Sequence, residues 1–405
     1  MAESAHNALG LYFSVPFCKA KCTYCNFASG VYPASEHRRY ADRLIADLTG
    51  SANWAEGMGV ELPETVDTIY FGGGTPVLLD GALFAEIFAA IRRNFAVNKD
   101  AEITVECAPG QLSEATLAAM VEAGVNRVSL GVQSFVDREA SLSGRLHTRD
   151  LVLEDLRRLR AAGIANLNID LLAGLAEQTL ASWRESLAVL VEAATPHASV
   201  YMLEIDEDSR LGRELISGGA RYSAGLVPTD DAIAQMYEEA VATLAGAGLA
   251  QYEISNFAQP GFESAHNLRY WQRKPYLGLG LDASSMLRAS DGLVLRTTTT
   301  DDLGAYLEGA GSLETAWLGP VQQLEEAWFL GLRLNGGVEL AALRREFGRE
   351  RVAEALRVVS RLVEDGLLRS DTKKVRLTER GRMLSNDVFQ EFLGLATEEC
   401  PLAQT

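Results

Sequence analysis

From residue 11 to about 205, short runs of apolar and β-branched residues alternate with longer stretches in which apolar side chains recur every three or four positions. The first pattern is that of buried strands, the second that of helices with one apolar face. Strands are predicted at Leu11–Pro16, Thr68–Phe71, Glu102–Glu106, Arg127–Gly131, Asn166–Leu171 and Ser199–Glu204. Between them, helices are predicted at Glu36–Leu48, Gly81–Asn94, Glu114–Ala123, Leu151–Ala162 and Leu180–Glu192, with Ser113 and Asp150 as N-caps. Strand–helix units in series imply an α/β fold with a parallel sheet, joined by right-handed crossovers and covered on both faces. An open doubly wound sheet and a complete or partial barrel both satisfy this pattern. In either, ligands gather at the carboxyl ends of the strands.

Beyond this region the pattern changes. Residues 229–248 read as a helix and Gln251–Ile254 as a strand. Ser255–Leu281, rich in Asn, Gly, Pro and aromatic residues, reads as a long loop, which in a compact domain is more often functional than idle. A polar stretch at 288–302 follows. Residues 323–395 look helical, with a hairpin at Leu367–Leu377, an order that resembles a winged-helix module. Three regions result: 1–250 with the strand–helix units, 251–300 as an extended loop and strand region, and 301–405 as a helical, winged-helix-like domain.

Composition narrows the function classes. With 405 residues, 47% hydrophobic and 23% charged, the chain has the make-up of a globular protein, and collagen-like or disordered readings drop out. It contains no apolar run of membrane-spanning length. Its start, MAESAHNALGLYF, lacks the basic and apolar segments of a signal peptide, so a cytoplasmic location is expected. The 37 Lys and Arg against 55 Asp and Glu give a net charge of −18, which disfavours binding to nucleic acid or anionic lipid. Residues 336–395 hold 12 basic and 10 acidic side chains, too balanced for a winged helix that reads nucleic acid. Packing or partner contact is the expected role there.

The five cysteines are Cys18, Cys22, Cys25, Cys107 and Cys400. Three of them fall within eight residues, immediately after the first predicted strand. In a reducing compartment such crowding points to metal binding. Soft thiolates select zinc, copper(I) or iron–sulfur clusters. Structural zinc wants four ligands, usually as two cysteine pairs, and no second pair exists. His37 or Cys107 would have to complete such a site. Three ligands on one loop suit a four-iron cluster with one iron left open. After the second predicted strand, Gly72-Gly73-Gly74-Thr75-Pro76 makes a turn with exposed backbone groups. Glu106, Gln133 and Asp170 stand at the ends of the next three strands, where a polar side chain needs solvent or a ligand to face.

Together, VPFCKAKCTYCNF, FGGGTP at 71–76, VECAPG at 105–110, GVQSF at 131–135, NIDLLAGL at 168–175 and HNLRYW at 266–271 resemble the radical S-adenosylmethionine (SAM) proteins of the HemN/HemW group, over about residues 11–395. The resemblance implies a partial (βα)6 barrel in which Cys18, Cys22 and Cys25 hold a [4Fe-4S] cluster whose open iron chelates SAM. A reduced cluster of this kind cleaves SAM to a 5′-deoxyadenosyl radical, so the cofactor carries the hard chemistry. It further implies that Gly73, Gly74 and Thr75 receive the methionyl amino group, and that Glu106, Gln133 and Asp170 hydrogen-bond SAM, including its ribose hydroxyls. Arg145 matches the position that pairs with the SAM carboxylate, although Arg149 is close; Tyr12 and Tyr24 match aromatic positions flanking the cluster loop.

Two features sort this chain within the group. The coproporphyrinogen III dehydrogenases carry a fourth cysteine two residues after the third, where this chain has Phe27, and a long extension before the cluster motif, where this chain has 17 residues. Both differences pull towards the chaperone branch of the group. That branch is understood to bind haem and hand it to membrane-associated respiratory proteins, with a flavodoxin-, ferredoxin- or NADH-linked reductant. By the same resemblance His266 of HNLRYW is the expected haem ligand, with Tyr270 and Trp271 covering a porphyrin face. One departure stands against this: where the branch has a second histidine, this chain has Ser284. The alternative function is that of a radical coproporphyrinogen III dehydrogenase, oxidatively decarboxylating propionates. A third, radical modification of RNA or protein, is disfavoured by the negative charge and by the lack of a second cysteine cluster.

Overall fold

The computed structural model describes residues 8–394. Six parallel strands lie side by side in chain order: β1 (Leu9–Val15), β2 (Thr65–Gly73), β3 (Ala96–Cys107), β4 (Arg127–Gln133), β5 (Asn166–Ala173) and β6 (His197–Met202). The order never reverses, which excludes the doubly wound alternative and leaves a partial (βα)6 barrel. Crossovers are made by α1 (Ala34–Met58), α2 (Gly81–Asn94), α3 (Glu114–Ala123), α4 (Arg149–Ala161) and α5 (Leu180–Ala193), and α6 (Asp230–Gly246) packs on β6 and α5. Their apolar stripes meet the outward residues of the strands, such as Phe13, Phe71, Val105, Leu130 and Ile169, in one continuous core.

Local chemistry sets most helix ends. Asp80 and Ser113 accept hydrogen bonds from the N–H groups of Leu83 (2.9 Å) and Thr116 (3.0 Å), and Gly124 ends α3 in the left-handed conformation. Asp150 is not a cap. Thr148 takes that position without a side-chain bond, and Asp150 lies in the first turn of α4, where its charge complements the helix dipole.

The barrel is flanked by antiparallel extensions that the pattern of the chain did not disclose. On the far side of β1 lies a parallel strand, Tyr276–Gly280, then the antiparallel strands Ser284–Ala289, Val294–Thr299 and Leu313–Leu318. The predicted loop Ser255–Leu281 therefore contains the strand Asn256–Ala258, paired antiparallel with β6, the helix Ala265–Trp271 and the strand Tyr276–Gly280. The polar stretch 288–302 holds the end of one strand and all of Val294–Thr299, where buried and half-buried threonines suit a pleated sheet. The strand predicted at Gln251–Ile254 is confined to Ala250–Gln251, and Glu253 makes one isolated bridge to Leu334.

The helix Ala265–Trp271 plugs the amino-terminal end of the barrel. Glu102 on β3 accepts from the N–H groups of Ala265 (2.9 Å) and His266 (3.0 Å), acting as an N-terminal cap from another element. Arg269, almost wholly buried, donates to the carbonyls of Ala8 and Pro275 (2.8 Å each) and pairs with Asp67. Gly10 makes room for it, since a Cβ there would lie 2.4 Å from the Arg269 Cδ.

A second core begins at the helix Pro320–Arg333. It packs with the helices Leu340–Phe347 and Arg349–Glu364 and with a hairpin of Leu368–Ser370 and Lys374–Leu377, joined by the short strand Val338–Glu339. This is the winged-helix-like arrangement, with Trp328 stacked on Phe392 at 5.0 Å. Among the described residues, no helix is long and apolar enough to cross a membrane. Gly10→Ala should destabilise the protein by about 1–3 kcal/mol through overpacking against Arg269. Urea unfolding checks this, and an unchanged midpoint would contradict the tight approach.

Candidate functional site

Along a strand, successive side chains face opposite sides. With the apolar residues turned out to the helices, the inner face of the barrel carries Tyr12 of β1, Thr68 and Tyr70 of β2, Glu102, Thr104 and Glu106 of β3, Arg127 and Ser129 of β4, Asn168 and Asp170 of β5, and His197, Ser199 and Tyr201 of β6. The interior is thus polar. Its carboxyl-end half opens into a cavity of about 560 Å³, lined by Tyr70, Glu106, Arg127, Ser129, Asn168, Asp170 and Ser199, and roofed by the cysteine loop.

That loop runs from Pro16 to Gly30 and is held on both sides. Its ends pair with each other through Cys18 N–H to Gly30 O and Gly30 N–H to Pro16 O (2.9 Å each). The glycine turn donates back to it, from Gly74 N–H to Val15 O and from Thr75 N–H to Phe17 O (2.7 Å each). Across the mouth, Thr23 N–H donates to Ser143 O (3.0 Å) and accepts at its own carbonyl from Leu211 N–H (2.8 Å). The glycines are demanded by closeness: a Cβ on Gly74 would lie 2.8 Å from Phe17 O and 3.0 Å from the Cys18 sulfur. Cys18, Cys22 and Cys25 all line the cavity, as do Gly73, Gly74 and Thr75. The Thr75 hydroxyl is 3.9 Å from the Cys18 sulfur, and the Ser29 hydroxyl 3.9 Å from that of Cys25. Among the described residues, no three His, Cys, Asp or Glu side chains converge on a point that one bare ion would fill. The thiols instead border a space large enough for a polynuclear group.

Glu106, Gln133, Arg145, Asp170 and Tyr24 line the same cavity. Burial pushes the Glu106 carboxyl up to about 7, with the charge of Asp170 adding to the rise; a hydrogen bond from the Tyr70 hydroxyl (2.8 Å), the Gly73 backbone and the Arg127 charge oppose it. Burial also raises Asp170, against hydrogen bonds from Ser199, Asn168 (2.7 Å) and Ser129 (3.1 Å) and against the Arg127 charge. Gln133 sits at a β-bulge with φ of 70°, a left-handed conformation uncommon outside glycine that turns its side chain into the cavity. Arg145 has room because Gly131 lacks a side chain; a Cβ there would be 3.0 Å from its guanidinium. The Arg145 Nε and the Gln111 Oε1 are buried without hydrogen-bond partners, as cavity-lining groups would be if they served a polar ligand. Arg149 bonds Phe135 O and Glu185 outside the cavity, so Arg145 is the arginine of the site.

Other expected residues lie elsewhere. Tyr12 is on the inner face but below the cavity, 6.0 Å from the Tyr70 ring. His266 is buried in the plug at the opposite end from the cysteines. Its Nδ1 is 2.9 Å from the Thr68 hydroxyl and its Nε2 2.8 Å from the Tyr270 hydroxyl, so both nitrogens have hydrogen-bond partners within the plug. Its neighbour Asn267 reaches the cavity instead. Ser284 is exposed and bonded to Thr298 (3.0 Å). Cys107 borders the cavity, but its buried thiol turns towards Ala108 O (3.6 Å) and the charges of Asp155 and Arg158; Cys400 lies outside the described residues. Tyr70, Arg127, Asn168, Ser199 and His147 also line the site without having been singled out. Their signal was a polar residue at every second position of strands otherwise apolar; His147 gave none.

The profile of the Radical SAM superfamily matches residues 12–190, and that of the HemN C-terminal domain matches residues 318–384. Several proteins named heme chaperone HemW are similar over nearly their whole length. The one from Lactococcus lactis is 32% identical over 94% of this chain and 96% of its own. The one from Mycobacterium tuberculosis is 33% identical over 97% of each. The solved structure of Escherichia coli coproporphyrinogen III oxidase (HemN), described as a radical SAM enzyme, superposes with a TM-score of 0.82 over 96% of this chain and 90% of that one. At 23% identity, that likeness speaks for the fold.

A carboxyl raised from 4.5 to about 7 on folding weakens the folded state as pH climbs between those values, and the full cost is present above the upper one. Glu106→Gln removes this cost. Its stability relative to wild type should therefore rise between pH 5 and pH 8, by something on the order of 3 kcal/mol. Urea unfolding at both pH values measures it; an equal difference at the two would contradict the buried, perturbed carboxyl.

Proposed function

Because this chain belongs to the HemW family of radical SAM proteins, we propose that it is a haem chaperone that holds a [4Fe-4S] cluster on Cys18, Cys22 and Cys25, binds SAM beside it, and passes haem to an acceptor protein. The observation that carries the cofactor reading is the placement of three thiols from one clamped loop at the mouth of a polar cavity. The haem reading rests on the similarity to the chaperones over 94% of this chain and 96% of the Lactococcus lactis protein.

When bound, the reduced cluster supplies the electron that cleaves SAM. The chain's own residues supply position and charge. The glycine turn offers Gly73, Gly74 and Thr75 to the amino group of SAM, close to the thiols because no side chain intervenes. Arg145, with its buried unpartnered Nε, suits the SAM carboxylate. Asp170 and Glu106 suit hydroxyl and ammonium donors, and Gln133 adds an amide held inward by its bulge. Arg127, buried among Tyr70, Glu102 and Asp170, offsets carboxylate charge that would otherwise accumulate in the low-dielectric interior. Tyr24 stands against Arg145 and Cys22 in the cavity wall. Delivery of haem to a membrane-associated acceptor, and a flavodoxin-, ferredoxin- or NADH-linked reductant, complete the proposed role in a cytoplasmic protein.

Two outcomes test this reading. Replacing Cys18, Cys22 or Cys25 by Ala should abolish the brown absorption of the reconstituted cluster, whereas Cys107→Ala should keep it, because that thiol turns towards Ala108 O and the Asp155 and Arg158 charges. Loss of colour in Cys107→Ala would contradict the assignment. The cluster-loaded protein, anaerobic with SAM and a reductant, should bind haemin stoichiometrically and leave coproporphyrinogen III unchanged. Conversion to protoporphyrinogen IX at enzymatic rates would identify a decarboxylating dehydrogenase instead.

A further inference from the structure

The segment Gln251–Ile254 runs between the barrel and the C-terminal core and is tied to both. The carbonyls of Gln251 and Tyr252 accept from the Asn335 side chain (2.7 Å) and the Asn335 N–H (3.0 Å), and Glu253 bridges Leu334. Glu253 is wholly buried. Its Oε1 accepts from the Ser255 N–H (3.1 Å) and from the Asn256 amide. Its Oε2 has no hydrogen-bond partner among the described residues and faces the Arg333 guanidinium at 3.8 Å. Arg333 ends the helix Pro320–Arg333 and lies over the Trp271 ring, 4.2 Å from its centre. Burial raises the Glu253 carboxyl, and the Arg333 charge is the largest influence holding it down. A buried carboxylate with so loose an ion pair adds little to stability, so its presence calls for another reason.

Hydrogen bonds lead inward from Glu253 to the cavity wall. A carboxylate accepts and does not donate, so Asn256 must turn its Nδ2 to Glu253 and its Oδ1 to Ser199. The Ser199 hydroxyl donates to that oxygen (2.8 Å) and accepts from Asn168 Nδ2 (3.0 Å). Asn168 Nδ2 also donates to Asp170 (2.7 Å), so Asn168 Oδ1 faces His197 Nδ1 (2.6 Å), which carries the proton there. His197 Nε2 then accepts from the Tyr252 hydroxyl (2.9 Å), whose oxygen accepts from the Ser264 N–H at the start of the plug helix (3.2 Å). Ser199 is the pivot of this network. It has one proton and two acceptors within reach, Asn256 Oδ1 and the Asp170 carboxylate. With Asn256 held by Glu253, that proton goes to Asn256 and leaves an Asp170 lone pair open to the cavity. With the amide turned over, Asn256 would donate to Ser199, and the Ser199 proton would fill that lone pair.

We infer that Glu253 and Arg333 are positioning residues of the SAM site: Arg333 holds Glu253 as an acceptor, and Glu253, through Asn256 and Ser199, keeps Asp170 free to receive a ribose hydroxyl of SAM. The inference rests on the SAM reading above. The C-terminal domain lends no side chain to the cavity lining, yet through Arg333 its seating sets how tightly the cofactor is held. Trp271, the last residue of the plug helix, completes the seat by stacking under Arg333.

The test is anaerobic equilibrium dialysis of the cluster-reconstituted full chain against radiolabelled SAM and against its 2′,3′-dideoxy analogue, which lacks the ribose hydroxyls. Glu253→Gln no longer compels the Asn256 amide to one orientation, and should weaken SAM binding by about fivefold to tenfold, the worth of one hydrogen bond. It should bind the dideoxy analogue as wild type does, whereas general damage to the fold would weaken both ligands alike. Arg333→Ala should show the same selective loss, and Arg333→Lys, which keeps a cation facing Glu253, should recover most of it. Circular dichroism and cluster absorption equal to wild type show that a variant is folded; if Glu253→Gln is not, the Arg333 pair decides by the same comparison. Wild-type affinity for SAM in these variants, or an equal loss for both ligands, would overturn the inference while leaving the SAM reading standing. Absence of SAM binding by wild type would overturn both.

Discussion

A strand shows its side chains alternately to two faces, and in this protein the alternation separates two chemistries. One face of each barrel strand is apolar and packs against the helices; the other is polar and encloses the interior. Burying Arg127, Glu102, Glu106 and Asp170 in such a space is unfavourable unless they find partners. Part of the solution is mutual: hydroxyls and amides bridge the strands, as where Asn168 donates to Ser129 (2.8 Å) and Ser199 (3.0 Å). The rest is architectural. The amino end is stopped by a helix capped by Glu102 and bolted through Arg269, and the carboxyl end is left open. A polar interior closed below and open above directs the remaining unpaired groups towards one mouth.

The cysteine loop acquires its meaning from that mouth. On its own, a fifteen-residue excursion (Pro16–Gly30) with three thiols would have no fixed aim. Backbone hydrogen bonds tie it to the glycine turn on one side and to the strap at Ser143 and the segment at Leu211 on the other. At the glycine turn and at the Ser143 strap the backbones approach so closely that a side chain would crowd them, so Gly74 and Gly144 act as spacers of zero length. The thiols are thereby held over the same cavity that Glu106, Asp170, Gln133 and Arg145 reach from four different segments of the chain.

Much of this was legible beforehand, and the failures have physical causes. Long helices with clear apolar stripes and end signals emerge with their predicted limits, as for Gly81–Asn94 and Glu114–Ala123. Strand cores were found but their ends were not, because the polar residues that end an apolar run here continue the strand on its inner face; β3 begins at Ala96 rather than Glu102. The strand Tyr276–Gly280 was hidden by its glycines. Gly278 is required because a Cβ would come within 2.1 Å of Ser284 O, and a glycine-rich run reads as loop. Residues at strand ends were readable as cavity-facing because direction and period determine where they point. His266 was not: its motif lies in a helix whose position depends on long-range pairing with β2 and β3, and that pairing turns the imidazole inward to Thr68 and Tyr270.

In the proposed function the loop's three thiols hold a cluster with one iron open towards SAM. Electron paramagnetic resonance of the reduced, reconstituted protein, recorded with and without SAM carrying a nitrogen-15 label on its amino group, tests it most directly. A single [4Fe-4S]+ signal whose g-values move on adding SAM, with a resolved nitrogen-15 coupling in electron–nuclear double resonance, is the expected result. A signal unchanged by saturating SAM, with no such coupling, would contradict it, for the open iron would then be closed by another ligand and the polar cavity would serve something else.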